Sequence, residues 1–323
     1  MACSLCWDTC SCLSFSTELT DTDINSHACV GYFKASCQVV HTSPELSGSV
    51  TGIALLNDRL YVIQGGSLQI AVYCPTTLQF QKHLNMYCPS CSVSNSSVLQ
   101  CSCRRAQHQY QRATNLLHIV ECAIKNCLFI SVQDNFFGYR IHRLALDQNN
   151  TLFAWNVNSI PLGLSVTSSH NLLVALSDAS TFSEYSPDGQ LIRQINVQPA
   201  GITNLIHIVE LTNDQFGIVH HGPKHQFSIV TSEGQLVQSY SGDAGELNDP
   251  QGIVVDQQRD RLFLADRNNN RIVMMDSKTL AAYPLPLPAD CALNTPHSIY
   301  FDVINSRLYI GEWNGRRIHC CQL

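Results

Sequence analysis

One eight-residue phrase occurs twice in this chain. Thr114-Asn115-Leu116-Leu117-His118-Ile119-Val120-Glu121 returns as Thr203-Asn204-Leu205-Ile206-His207-Ile208-Val209-Glu210, identical at seven of eight positions and 89 residues further on. An internal repeat constrains a fold more than composition does, because each unit must bury its apolar face against its neighbours. Half of the offset is about 45 residues, and other members appear at that spacing. Gly52-Ile53-Ala54-Leu55 comes first, and Leu162-Gly163-Leu164-Ser165-Val166 falls between the two copies. Gly252-Ile253-Val254-Val255-Asp256 lies 46 residues before Ser298-Ile299-Tyr300-Phe301-Asp302.

Each of these runs leads through a polar turn to a second apolar run, such as Leu172–Leu176 or Leu262–Ala265, and then to a third, such as Arg271–Met275. The runs are short and rich in β-branched and aromatic residues, which suits strands. Pro187-Asp188-Gly189 and Ser232-Glu233-Gly234 mark turns into a fourth run. No helical periodicity is sustained. Four short strands per unit of about 45 residues, six times over, predict an all-β fold, a six-bladed β-propeller of four-stranded blades. The propeller is expected over residues 31–323, with a Cys-rich insertion at about 83–106 and a poorly ordered Cys-rich segment at 1–30. The last blade is one strand short at Leu323. An open ring exposes strand edges, so the segment 35–41 is expected to pair with the strand through Cys320 and close the ring.

Charge narrows the function classes. Only 14% of residues are charged and the formal net charge is −6, a poor balance for a protein whose main task is to grip phosphates. No apolar run is long enough for a membrane helix. The start, Met1-Ala2-Cys3-Ser4-Leu5-Cys6-Trp7-Asp8, has neither a basic nor an apolar leader region, so a cytoplasmic protein is expected. Its 16 cysteines are then expected to be mostly thiols.

The fifth repeat carries a more specific signature. Asp249-Pro250-Gln251-Gly252-Ile253 opens it, Leu264-Ala265-Asp266 ends its second strand, and Asn268-Asn269-Asn270-Arg271-Ile272 turns into its third. This closely resembles the NHL repeat, and Pro296-His297-Ser298-Ile299 followed by Glu312-Trp313-Asn314-Gly315-Arg316-Arg317-Ile318 is a weaker version of it. The resemblance is specific over 247–323 and general over about 50–246. It implies a propeller that binds rather than catalyses: a protein-recognition scaffold of the kind found at the end of TRIM-type ubiquitin ligases, here without a RING. Related propellers also bind RNA.

Candidate sites follow from the ring. His118, His207 and His297 fall on the inner strands of blades two, four and six, so three imidazoles can face one axis and hold zinc with an open position. Pro296-His297-Ser298-Ile299 is also similar to the openings that carry zinc-binding histidines in amidating-lyase propellers. The second reading is therefore a metal-dependent lyase or lactonase with a His-lined channel, against a structural role for the same histidines. His220, His221 and His225 are placed on a hairpin at the rim of blade four. Asp266, Arg267, Asn268, Arg271, Glu312, Trp313, Asn314 and Arg316 are the rim candidates of blades five and six. An acid and a guanidinium flanking a turn, as Asp266 and Arg271 do, can brace it. Cys88, Cys91, Cys101 and Cys103 in the insertion offer a weaker zinc set, because C-x-C spacing is poor for a zinc ribbon. No cofactor other than this zinc is expected. A protein is the expected partner, with RNA as the alternative.

Overall fold

The structure is a computed structural model; it describes residues 37–85, 114–134, 138–148, 150–211, 214–242 and 246–323. The segment 1–30, Cys88, Cys91, Cys101 and Cys103 lie outside the described residues. Six antiparallel four-stranded sheets form the ring. Blade one is β2 (Val50–Leu56), β3 (Arg59–Gln64), β4 (Gln69–Tyr73) and β5 (Phe80–Asn85), and blade two is β6 (Thr114–Cys122), β7 (Cys127–Asp134), β8 (Gly138–Ala145) and β9 (Leu152–Val157). Blade three is β10 (Pro161–Val166), β11 (Leu172–Leu176), β12 (Thr181–Tyr185) and β13 (Leu191–Asn196). Blade four is β14 (Thr203–Glu210), β15 (Gln215–Gly222), β16 (Gln226–Thr231) and β17 (Leu236–Tyr240). Blade five is β18 (Pro250–Asp256), β19 (Arg261–Asp266), β20 (Arg271–Asp276) and the short β21 (Ala282–Pro284). Blade six joins β22 (Pro296–Asp302), β23 (Arg307–Glu312) and β24 (Ile318–Gln322) to β1 (Gln38–Thr42).

The closing strand pairs as expected. Val39 lies opposite Cys321, and His41 opposite Cys320. The inner strands then contact one another all the way round: β2 meets β6 and β22, β10 meets β6 and β14, and β18 meets β14 and β22. Two details differ from the sequence reading. β5 runs on to Asn85, so residues 83–85 are strand rather than insertion. His220 and His221 lie within β15, and the hairpin itself is only 223–225.

Local chemistry sets the strands in place. Asn57 and Asp58, both at positive φ (52° and 53°), make the two-residue turn between β2 and β3, a conformation that Asn and Asp tolerate and hairpins favour. The second strand of a blade is the most buried and the outermost the least. β11 is buried throughout, whereas four of the five residues of β17 are exposed. The core lies between blades rather than within one. One cluster, for example, unites Phe182 of blade three with Leu205, Ile208 and Phe216 of blade four.

Candidate functional site

All six inner strands carry a register slip in the same place, near their first residues: Val50/Gly52, Leu116/His118, Pro161/Gly163, Leu205/His207, Pro250/Ile253 and Pro296/Ser298. A bulge re-aims a side chain and tightens the local twist, and here it falls where the three histidines enter the channel. Blades one, three and five place a glycine at this level, Gly52, Gly163 and Gly252, facing the blades that carry histidine. A Cβ on Gly163 would sit 2.5 Å from His207 Cδ2 and from the Ile206 carbonyl. A Cβ on Gly252 would sit 2.8 Å from the His297 carbonyl. The glycines are the space into which the neighbouring blade fits.

The histidine layer divides the channel. His207 is buried, and both of its nitrogens are taken by backbone. Nδ1 accepts the Ile253 N–H at 2.9 Å and Nε2–H donates to the Leu164 carbonyl at 2.9 Å. One imidazole thus ties blade four to blades three and five, and it keeps no lone pair for a metal. His118 packs against it with ring centroids 4.7 Å apart, and its Nδ1 accepts the Leu164 N–H at 3.4 Å. His297 leans on Trp313 instead, with centroids 4.9 Å apart, and its Nδ1 has no partner. All three are neutral at physiological pH. Burial pushes His207 down to about 4 and, with nearby Arg267, His297 down to about 3. Burial also holds His118 well below the usual imidazole range. Among the described residues no group of three or more His, Cys, Asp or Glu is placed to hold a metal ion.

The upper mouth, at the start of the inner strands, is a cavity of about 450 Å³ bordered by Leu116, His118, Ile206, Gln251, His297 and Trp313. Two sets of sequence candidates meet at its rim. Arg267 pairs with Asp249 at 2.6 Å while its guanidinium lies over Trp313, 5.6 Å from the ring centroid. Asp249 also lies 3.4 Å from His221 Nε2, which donates to the Pro250 carbonyl at 2.8 Å. His225 packs against His221, its ring tilted 52° to it, and accepts the Asp249 N–H at 2.9 Å.

Other rim candidates turn inward. His220 is buried, spent on the Gly222 carbonyl and Ser228. Asp266 is fully buried and receives the Asn248 N–H, Asn269 Nδ2 and Arg271 Nε at 2.7–2.8 Å. This is the bracing role of the Asp–Arg pair. Glu312 is buried as well, accepting the Asn294 N–H at 2.7 Å. Asn268 and Asn314 remain exposed, and Arg316 pairs with Glu45 at the surface.

The lower mouth, at the ends of the inner strands, holds what the sequence reading missed. Its cavity is about 420 Å³. Glu121 of β6 and Tyr300 of β22 both line it, and the Tyr300 hydroxyl donates to Glu121 Oε1 at 2.9 Å. Glu121 Oε2 is buried with no partner, as is the hydroxyl of Ser165 on the same wall. Burial pushes the Glu121 carboxyl up to about 7, against the opposing pull of its own backbone N–H and the Tyr300 hydroxyl. The second carboxylate of the wall, Glu210, accepts the Ser168 N–H at 2.6 Å. Among the described residues, no Lys or Arg lines this cavity. The signal was in the repeated phrase itself: both copies end in Glu, at the same end of two inner strands.

Comparison with known proteins bears on this ring. Residues 247–273 match the NHL repeat family. That stretch is blade five from the turn before β18 to the middle of β20, and it contains Asp249, Asp266, Arg267 and Arg271. The match and the six-bladed ring together support an NHL-type propeller. A crystal structure of a protein of unknown function from Bacteroides caccae shares the fold, with a TM-score of 0.54 at 13% identity over 78% of this chain and 81% of that one. No curated protein matches the chain. No helix among the described residues is long and apolar enough to cross a membrane.

Proposed function

We propose that this NHL-type propeller is a protein-recognition scaffold that takes a basic side chain of its partner into the lower mouth of the channel. The observation that carries this is the unpartnered, buried Oε2 of Glu121. A buried carboxylate oxygen without a donor is costly unless something supplies one. A lysine ammonium or an arginine guanidinium brings both the charge and the N–H groups. Glu210 adds a second negative charge, and among the described residues of the wall no Lys or Arg competes. The surroundings suit a protein rather than a free amine. Ile124, in the β6–β7 turn, is 65% exposed, and Ile304, in the β22–β23 turn, is 89% exposed. Both stand at the ends of the strands that carry Glu121 and Tyr300. Exposed apolar side chains beside the mouth give a protein partner surface to pack on, and contacts around an anchor keep water from it.

The link to ubiquitin-ligase substrate recognition rests on the resemblance of residues 247–323 alone. RNA is the poorer match for this mouth, because both of its charged side chains are acids. The test is selection from a random peptide library on the folded chain, followed by affinity measurement. Enriched peptides are expected to share a Lys or Arg, and Glu121→Gln is expected to weaken them at least tenfold. Peptides without a basic residue, binding unaffected by Glu121→Gln, or tight binding of single-stranded RNA in its place would overturn the reading.

A further inference from the structure

A second cluster lies away from the channel, where β1 closes blade six. Cys291, in the segment between β21 and β22, is half-buried, and its Sγ is 3.8 Å from His319 Nδ1. On the far side of the same imidazole, Nε2 is 3.2 Å from Glu312 Oε1, an ion-pair contact. Thr42 Oγ1 shares Nδ1 at 3.0 Å. Thiol, imidazole and carboxylate are therefore strung in a line, with sulfur and carboxylate on opposite ring nitrogens. A metal site would need them to converge. A line is the order that orients an imidazole and pairs it with a nucleophile. Cys291, His319, Thr42 and Arg317 line one cavity of about 490 Å³ that opens to the surface.

We infer that Cys291 is a reactive thiol, paired with His319 and oriented by Glu312, that takes low-molecular-weight disulfides in thiol–disulfide exchange. The Cys291 thiol gives its proton to solvent as it reacts, and the His319 imidazolium beside it stabilises the sulfur as a thiolate. The Cys291 sulfur attacks one sulfur of the disulfide, a new S–S bond forms, and the old one breaks. Its electron pair leaves on the second sulfur as a thiolate, which takes a proton from solvent. Cys291 is oxidised to a mixed disulfide, and one half of the small disulfide is reduced to a thiol. Arg317, exposed on the cavity wall, favours a disulfide that carries carboxylates.

The electrostatics support the pair. Burial alone would lower His319, but Cys291 and Glu312 outweigh it and push the imidazole up to about 9. The other titratable or charged groups around the pair are Asp290 and Arg317 on the cavity wall, His41 of β1 and Cys321 of β24. A cationic imidazole next to the sulfur is the setting in which cysteines react fastest.

The experiment follows mixed-disulfide formation with oxidised glutathione on the full chain. It reads the tryptic peptide Thr279–Arg307, whose only cysteine is Cys291. At pH 7 the wild-type site is expected to react at least tenfold faster than in His319→Gln. That advantage should shrink toward parity above about pH 9, as His319 loses its proton. A ratio near one at pH 7, or a ratio that does not change with pH, would overturn the inference. Should His319→Gln fail to fold, the wild-type rate is compared with that of the synthetic 279–307 peptide. At least tenfold faster in the protein supports the site, and equal or slower contradicts it.

Discussion

The two mouths of the channel are built from the same strands and handle their carboxylates differently. Above the histidine layer, charge is paired: Arg267 with Asp249, Asp266 with Arg271, and His207 with the backbone of two neighbouring blades. Below it, Glu121 and Ser165 keep atoms without a partner. The difference teaches how to read a repeat protein. Polar groups that satisfy one another across blades hold the ring together, whereas a polar group left buried and unpaired marks a place for something else. Of the histidines, which drew the eye in the sequence, His207 belongs to the first kind, whereas His297 keeps a buried Nδ1 without a partner. Glu121 belongs to the second.

The sharpest way to break this comparison is at His207. Replacing it with Leu strands the Ile253 N–H and the Leu164 carbonyl in the interior. The loss should be about 3 kcal/mol of unfolding free energy, read from the denaturant midpoint. The same residue sets an acid limit. Its folded pKa of about 4 lies below the ordinary imidazole value, so the unfolded chain binds the proton first. Its contribution is therefore complete above about pH 6.5 and is lost as pH falls toward 4, and His207→Leu should flatten that part of the stability–pH curve. Next in size is Asp266→Asn, which weakens three hydrogen bonds, including that from Arg271. A loss of about 2 kcal/mol is expected in the same assay.

Glu121→Gln should move the other way. The wild-type carboxyl titrates near 7 when folded, above its ordinary value of 4.5, so the folded state favours the protonated form. Stability should fall as pH rises from about 4.5 to 7, and the Gln variant should escape that fall. It should be more stable than wild type by on the order of 2 kcal/mol at pH 8 and equal to it near pH 4.5. A bracing role for Glu121 would instead make the variant less stable at pH 8. The smallest effect is expected from Trp313→Ala at the upper rim. That ring is 36% exposed and lies beneath Arg267, so its removal should cost under about 1 kcal/mol.

Most of the fold was legible in the sequence because the repeat is periodic and every blade solves the same burial problem. Even the closing strand could be read, since blade six was one strand short. Less of the site was legible, and the reason is specific. The alternation of His118, His207 and His297 is visible in the repeat, but what their nitrogens meet is decided by the adjacent blade. Ile253 and Leu164 lie 46 and 43 residues from His207. The pairing of Glu312 with His319 likewise crosses from β23 to β24, and nothing in either stretch announces it. Asp266 and Arg271 were readable as a brace because both partners sit on one turn.

The measurement that bears most directly on the account is the titration of the Glu121 side-chain carboxyl by ¹³C NMR, with Glu121→Gln to assign the signal. The account predicts a midpoint near 7 in the free chain, dropping toward the ordinary carboxylate range when a Lys- or Arg-bearing peptide is bound. A midpoint near 4.5 in the free chain would mean that Glu121 is already solvated or paired, and the lower mouth would lose its claim to be the recognition site.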